Sequence, residues 1–285
     1  MPTPNEEFIA VWNEILVPKF KRFRHVFVAG AEAHSNVALS MHKPREGERV
    51  LDVGCGFGDT SIDLARRVGP RGSALGIDCC DALLDVGREE AKTSGTTNVK
   101  FVIGDAQDFP FEPIFDLCFS RFGTMFFGAP KAAMRNMRRA LKPGGRLMMI
   151  TWRTLDDNPW LGIPKHVVLE HLPPPPDDGR KCGPGPFSMA DEETVRAILE
   201  GAGYTNVQFE RIDTNVLVGR SIDEAIQFQL ELGPAGEIVR EAGDLGASRR
   251  VAIVEELHRA LDKFAGPEGV VMSSSSWCIT ATNPS

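Results

Sequence analysis

No stretch of the 285-residue sequence reaches the roughly 20 consecutive apolar residues of a membrane helix. The opening MPTPNEEFIAVWNE also lacks the basic start and continuous apolar core of a secretory signal. Both absences lead us to expect a soluble, cytoplasmic protein with no membrane span. The six cysteines (Cys55, Cys79, Cys80, Cys118, Cys182 and Cys278) follow neither CxxC nor Cys/His metal spacing. A chain this long does not need disulfides to fold, so free and mostly buried thiols, and no bound metal, are expected. An excess of positive charge is missing as well: the net charge is −7. That balance argues against a large nucleic-acid surface, which needs a concentrated basic face. KFKRFRH, residues 19–25, is the local exception. Its Phe20 and Phe23, with Phe27 beyond, recur at helical spacing, as in an amphipathic helix whose charges face water. Internal repeats are also missing, and 42% hydrophobic with 25% charged residues excludes a disordered or fibrous chain.

What is present is an alternation of strand and helix signals from residue 47 to 153. Short apolar runs at Val50–Val53, Ser73–Ile77, Val99–Ile103, Phe115–Phe119 and Leu147–Trp152 predict strands. Helical runs at Thr60–Val68, Asp81–Ser94 and Lys131–Leu141 separate them. Such βαβ alternation predicts a parallel sheet with helices on both faces and a ligand crevice at the carboxyl ends of the strands. HLPPPPDDGRKCGPGP, residues 171–186, cannot hold a helix or central strand and reads as surface or lid. Beyond it come a helix over Asp191–Gly201, a strand near Val207–Ile212, helices over Ile222–Leu232 and Ser248–Phe264, and a last strand around Val270–Thr280.

The first strand runs into a bare loop, RVLDVGCGFGD, with glycines at 54, 56 and 58. Three alternate glycines tolerate φ > 0 and let a ligand lie against the backbone. Dinucleotide enzymes space such glycines as G-x-G-x-x-G; here the third comes one residue early, and Asp52 stands two residues before the first. VLDVGCGFGD, then LGID (75–78), GDAQDFPF (104–111) and LKPGGRL (141–147), together resemble the class I S-adenosylmethionine-dependent methyltransferases. The similarity is greatest to their small-molecule branch, the ubiquinone and menaquinone methyltransferases.

The resemblance implies a Rossmann-like, seven-stranded, mostly parallel α/β sheet and S-adenosylmethionine as cofactor, released as S-adenosylhomocysteine. It implies an N-terminal helical cap over 1–46 and a methyltransferase domain over 47–285, with lid segments about 156–190 and 215–266. Asp78, ending the second strand, would accept both ribose hydroxyls; Asp105 would accept from the adenine amino group, with the Ala106 N–H on a ring nitrogen. Cys79 would lie on the adenine face, and Asp52, Gly54 and Gly56 would line the methionine end. Cys55, Gly58 and Ser120 complete the expected cofactor set. Taken singly, Asp78 also reads as a helix cap and Asp105 as a turn acid.

The acceptor side is expected from FSRFGTMFFGAP, residues 119–130. Enzymes that methylate exocyclic base nitrogens carry an Asn- or Asp-Pro-Pro-aromatic stretch there, whereas this chain has Ser120, Arg121, Phe122 and Gly123. Phe122 and Met125 are the expected pocket walls, with Trp12, Trp152 and Trp160 in segments able to close over a flat substrate. His166 and His25 are candidate general bases, His171 a third, although positioning alone can contribute about 7–11 kcal/mol to an in-line transfer, so no base is required. The expected activity is O-, C- or N-methylation of a small apolar or aromatic metabolite; a homodimer is left open. Two alternatives stand beside it: a non-catalytic cofactor-binding sensor or partner protein, and a nicotinamide dehydrogenase. An open cavity lined by Phe122, Met125 and Trp152 would favour the enzyme over the sensor.

Overall fold

The computed structural model describes residues 4–174 and 185–284. The expected lid sequence at 175–184, with Cys182, lies outside the described residues. Five strands, β1 (Arg49–Val53), β2 (Ser73–Asp78), β3 (Val99–Ile103), β4 (Phe115–Arg121) and β5 (Leu141–Trp152), are joined by the helices α4 (Asp59–Val68), α5 (Asp81–Thr93) and α6 (Pro130–Ala140). The branched and aromatic residues of the central strands β1, β4 and β5 are buried from both faces, as a parallel sheet covered by helices demands, while the edge strand β3 leaves Ile103 52% exposed. The order is β3-β2-β1-β4-β5-β8-β6, with β6 (Thr205–Gly219) and β8 (Gly269–Thr282) forming the far edge. β8 runs antiparallel to both β5 and β6, and a two-residue strand β7 (Ala265–Gly266) folds back on β8. The seven-stranded, mostly parallel sheet is therefore present, with one short strand added.

The strand order reverses where the chain crosses from β3 to β4, and the crevice above the neighbouring strands β1 and β4 is where an open α/β sheet binds ligands. Above it lies an N-terminal layer, α1 (Pro4–Val11), a π-helical turn (Trp12–Leu16), α2 (Val17–Arg22) and α3 (Arg24–Met41). Pro18 has no N–H to continue the ladder, and just before it the Val17 N–H bonds five residues back to the Trp12 carbonyl. Opposite, α7 (Pro159–His171), α9 (Ile222–Glu231), α10 (Pro234–Glu241) and α11 (Gly243–Asp262) pack on one another, and α8 (Glu192–Gly201) packs on α6 and β6. Asp191 caps α8 rather than starting it, its carboxylate accepting from the Thr194 N–H. Helices α7 and α10 were not among the predicted elements. Among the described residues no helix is long and apolar enough to cross a membrane.

Candidate functional site

The glycine loop between β1 and α4 takes the left-handed backbone three times, with φ of 67° at Gly54, 53° at Gly56 and 76° at Gly58. The N–H groups of Gly54 and Cys55 bond to the Ile77 carbonyl at 2.9 and 3.2 Å, which clamps the loop to the end of β2. Space differs along it. A Cβ at Gly56 would meet nothing within 4 Å, whereas one at Gly54 would lie 3.0 Å from the Gly123 backbone.

This loop floors a cavity of about 290 Å³. Asp52, Gly54, Cys55 and Gly56 line it from β1, and Asp78, Cys79, Asp105 and Ala106 from the ends of β2 and β3. Asp52 is 1% exposed and accepts from the Ser61 hydroxyl at 2.6 Å; burial pushes its carboxyl up to about 7. Asp78 accepts the backbone N–H groups of Gly56 at 2.8 Å and Cys80 at 2.9 Å, which offset part of a burial-driven rise in its pKa. Asp105 accepts the Gln107 N–H at 2.9 Å and a close hydrogen bond from the Asn5 side chain. Asn13 reaches the Cys79 carbonyl at 3.3 Å, so the N-terminal layer touches two strand ends on the cavity.

The other half of the cavity is aromatic. Phe122, a non-glycine residue at φ 58°, stacks on Trp152 with centroids 3.8 Å apart and planes 13° from parallel. Backbone strain of this kind costs roughly 1–3 kcal/mol and persists where surrounding packing enforces it. Trp160 meets Trp152 at 5.3 Å, Phe228 stacks beyond Trp160 at 6.4 Å, and Trp12 meets Phe126 edge-on at 5.0 Å. Met125 also contributes to the wall, and its sulfur accepts from the Trp152 backbone N–H at 3.4 Å.

Residues 44–172 match the family model described as a methyltransferase domain. The ubiquinone/menaquinone biosynthesis C-methyltransferase of Idiomarina loihiensis is 31% identical over 186 residues, 61% of this chain and 72% of that protein. The demethylmenaquinone methyltransferase of Staphylococcus aureus is 43% identical over 176 residues, 58% of this chain and 70% of that protein. The chain belongs to the class I S-adenosylmethionine-dependent methyltransferases. Among solved structures, phosphoethanolamine N-methyltransferase 2 of Haemonchus contortus, in complex with S-adenosyl-L-methionine, shares the fold of the methyltransferase. Its TM-score is 0.59 at 17% identity, covering 98% of this chain and 60% of that one.

The residues present fit the cofactor this methyltransferase uses: an uncrowded Gly56, a buried carboxylate at Asp52 and a second at Asp78 suit a ligand carrying an ammonium and a diol. Four of the residues expected here stand elsewhere. Gly58 does not line the cavity; a Cβ there would come within 2.5 Å of the Phe101 ring and 3.1 Å of the Gly87 backbone, so its bareness serves helix packing. Ser120 is fully buried and donates to the Val53 carbonyl at 2.7 Å, tying β4 to β1. His25 sits 2.9 Å from Glu224, and His166 is exposed; neither lines the cavity. At ~100° per residue, His25 is turned about 160° from Phe27 and His166 about 140° from Leu161, the cavity-facing residues of their helices. His171 pairs with Glu256 at 2.7 Å.

Several lining residues left no signal in sequence. Arg121, 9% exposed, pairs with Asp59 at 2.7 Å, and both line the cavity. Thr60 lines it too, with its hydroxyl buried and without a hydrogen-bond partner. Asn5, Phe8 and Phe228 come from segments remote in the chain.

Behind the aromatic stack lies His34, fully buried, edge-on to Phe122 at 5.7 Å and to Trp152 at 5.0 Å. The Ser274 hydroxyl donates to the Thr214 carbonyl, so it accepts from His34 Nε2 at 2.8 Å, while Ser276 donates to Nδ1 at 2.8 Å. Burial pushes the imidazole from 6.5 down to about 4. The folded protein therefore holds His34 neutral, and this contribution is complete above about pH 6.5 and is lost as pH falls from there toward 4. At 1.36 kcal/mol per pH unit the loss is about 3 kcal/mol. The wild type's stability against urea should fall as pH drops across that interval, and the slope should flatten in His34→Gln; equal slopes would refute the assignment.

Proposed function

We propose that this methyltransferase acts on a small, flat, apolar acceptor held against the Phe122–Trp152 stack. The observation that carries the reading is the wall itself: stacked and edge-on aromatic rings beside the open glycine loop. The cofactor supplies an electrophilic methyl group. Asp52, with Gly54 and Gly56, would hold its amino-acid end, Asp78 its ribose, and Asp105 with Ala106 its adenine. Among the described residues no histidine lines the cavity, which supports transfer by positioning to an oxygen or carbon whose proton is already weakly held. The N-terminal layer would be the cap, and the α7 and α9–α11 group the lid. A net charge of −7 disfavours a nucleic-acid acceptor and suits a cytoplasmic enzyme of small molecules. The two quinone-pathway relatives support a quinol-like acceptor for this chain as well.

The purified protein with labelled S-adenosylmethionine should methylate reduced naphthoquinols or phenols and leave phosphoethanolamine untouched. Phe122→Ala should raise KM for the aromatic acceptor while donor affinity holds. Turnover of phosphoethanolamine, or an unchanged KM in the variant, would defeat the aromatic-acceptor reading.

A further inference from the structure

At the sheet edge away from the cavity, three side chains from three separate elements converge. Glu210 on β6 and Cys278 on β8 are direct register partners, and His42 closes α3 above them, its own N–H bonded to the Ala38 carbonyl at 2.9 Å. His42 Nε2 is in close contact with Glu210 Oε2. The imidazole nitrogen, carboxylate oxygen and thiol sulfur all lie within 4.8 Å of one another. Cys278 is fully buried, while the His42 and Glu210 side chains keep 29% and 38% exposure, which gives an ion a path from solvent.

We propose that His42, Glu210 and Cys278 form a zinc site with its fourth position open to solvent. One nitrogen, one oxygen and one sulfur is a borderline-soft donor set that suits Zn²⁺ and is poor for Mg²⁺ or Ca²⁺. On binding, Cys278 forms the Zn–S bond as thiolate and its proton leaves to solvent; His42 breaks its Nε2–H bond to Glu210 and shifts that hydrogen to Nδ1, so that the freed Nε2 lone pair meets the metal beside the Glu210 carboxylate. Three ligands 168 and 68 residues apart leave no spacing motif. Their separation also gives the site a job, since the ion would fasten the end of α3 to β6 and β8. The same helix carries Phe27 on the cavity and His34 behind the aromatic stack.

A second group of donors, Asp78, Cys79 and Cys80, is also within 4.8 Å. Its three residues are consecutive, and the Asp78 carboxylate is already occupied by two backbone N–H groups. It belongs to the cavity already described, and the test separates the two.

Chelator-stripped full-length protein would be titrated with Co²⁺, followed by Zn²⁺. One equivalent of Co²⁺ should give a thiolate-to-cobalt charge-transfer band with tetrahedral d–d absorption, and one equivalent of Zn²⁺ should bleach both. Cys278→Ser should lose the charge-transfer band. His42→Gln and Glu210→Gln, at half-exposed positions that a folded chain tolerates, should each weaken Co²⁺ binding at least about tenfold. A Cys79→Ser/Cys80→Ser double variant should keep the band. Zn²⁺ should raise the melting temperature of the wild type and not of His42→Gln. No band in the wild type, a band that survives Cys278→Ser, a band abolished by the double variant, or unchanged affinity in both His42→Gln and Glu210→Gln would overturn the site.

Discussion

Asp78→Ala should weaken S-adenosylmethionine binding by about 1.5–3 kcal/mol, a rise in Kd of about 10- to 150-fold, read by isothermal titration. The carboxylate stands at the end of β2, with Gly56 and Cys80 already donating to it from below. Those two bonds fix its orientation before any ligand arrives, so a diol meeting the remaining lone pairs bonds to a group that has already lost its freedom. Burial raises the pKa of this carboxyl, and the two N–H groups pull it back toward the ionised, accepting form. Removing the side chain also frees the Gly56 N–H, which loosens the loop proposed to carry the same ligand. Titration with S-adenosylhomocysteine should show a similar loss, since the ribose is common to both. An unchanged Kd in a folded variant would remove Asp78 from the site.

Gly58→Ala should do the opposite: cost stability and leave the site's affinity alone. An L-residue at φ 76° costs roughly 1–2 kcal/mol, and forcing a methyl 2.5 Å from the Phe101 ring, with Gly87 behind it, adds about 1–3 kcal/mol more. The sum, about 2–5 kcal/mol, should appear as a lower urea midpoint at unchanged m-value. The Kd for S-adenosylmethionine, measured well below the melting temperature, should stay within a factor of two or so. A large loss of affinity at full stability would return Gly58 to the ligand's surface.

The contrast between these two residues shows what the sequence could and could not reveal. Gly54, Gly56 and Gly58 look alike in RVLDVGCGFGD, and all three take positive φ, yet only the first two face the cavity. Bareness in a loop signals a close approach without saying whether the approaching atom belongs to a ligand or to Phe101. Strands β1 and β4 and the Leu147–Trp152 half of β5 were legible because strands buried on both faces are nearly continuous apolar runs. Helix α7 was not, because Gly162 and Pro164 lie inside PWLGIPKHVVLEH and local propensity argues against a helix. Burial of Trp160, Leu161, Val167 and Val168 overrides that preference. The histidines misled for a related reason: their chemistry suits a base, but the phase of each helix turns them away from the cavity. Arg121 and Asp59, 62 residues apart, met only through the fold.

The N-terminal layer touches both ends of the cavity at once. Asn5 bonds to Asp105 at the end of β3, while seven to fifteen residues further on Trp12, Leu16 and Phe20 line the aromatic side, Trp12 against Phe126. Under the proposed assignment, donor and acceptor compartments would share one cover, and lifting residues 4–16 would uncover both. In kinetic terms, spent cofactor and methylated product would then leave after a single opening event rather than two. The order of release is then set by relative affinity, and a change that loosens α1 should speed both exits together while leaving the chemical step alone.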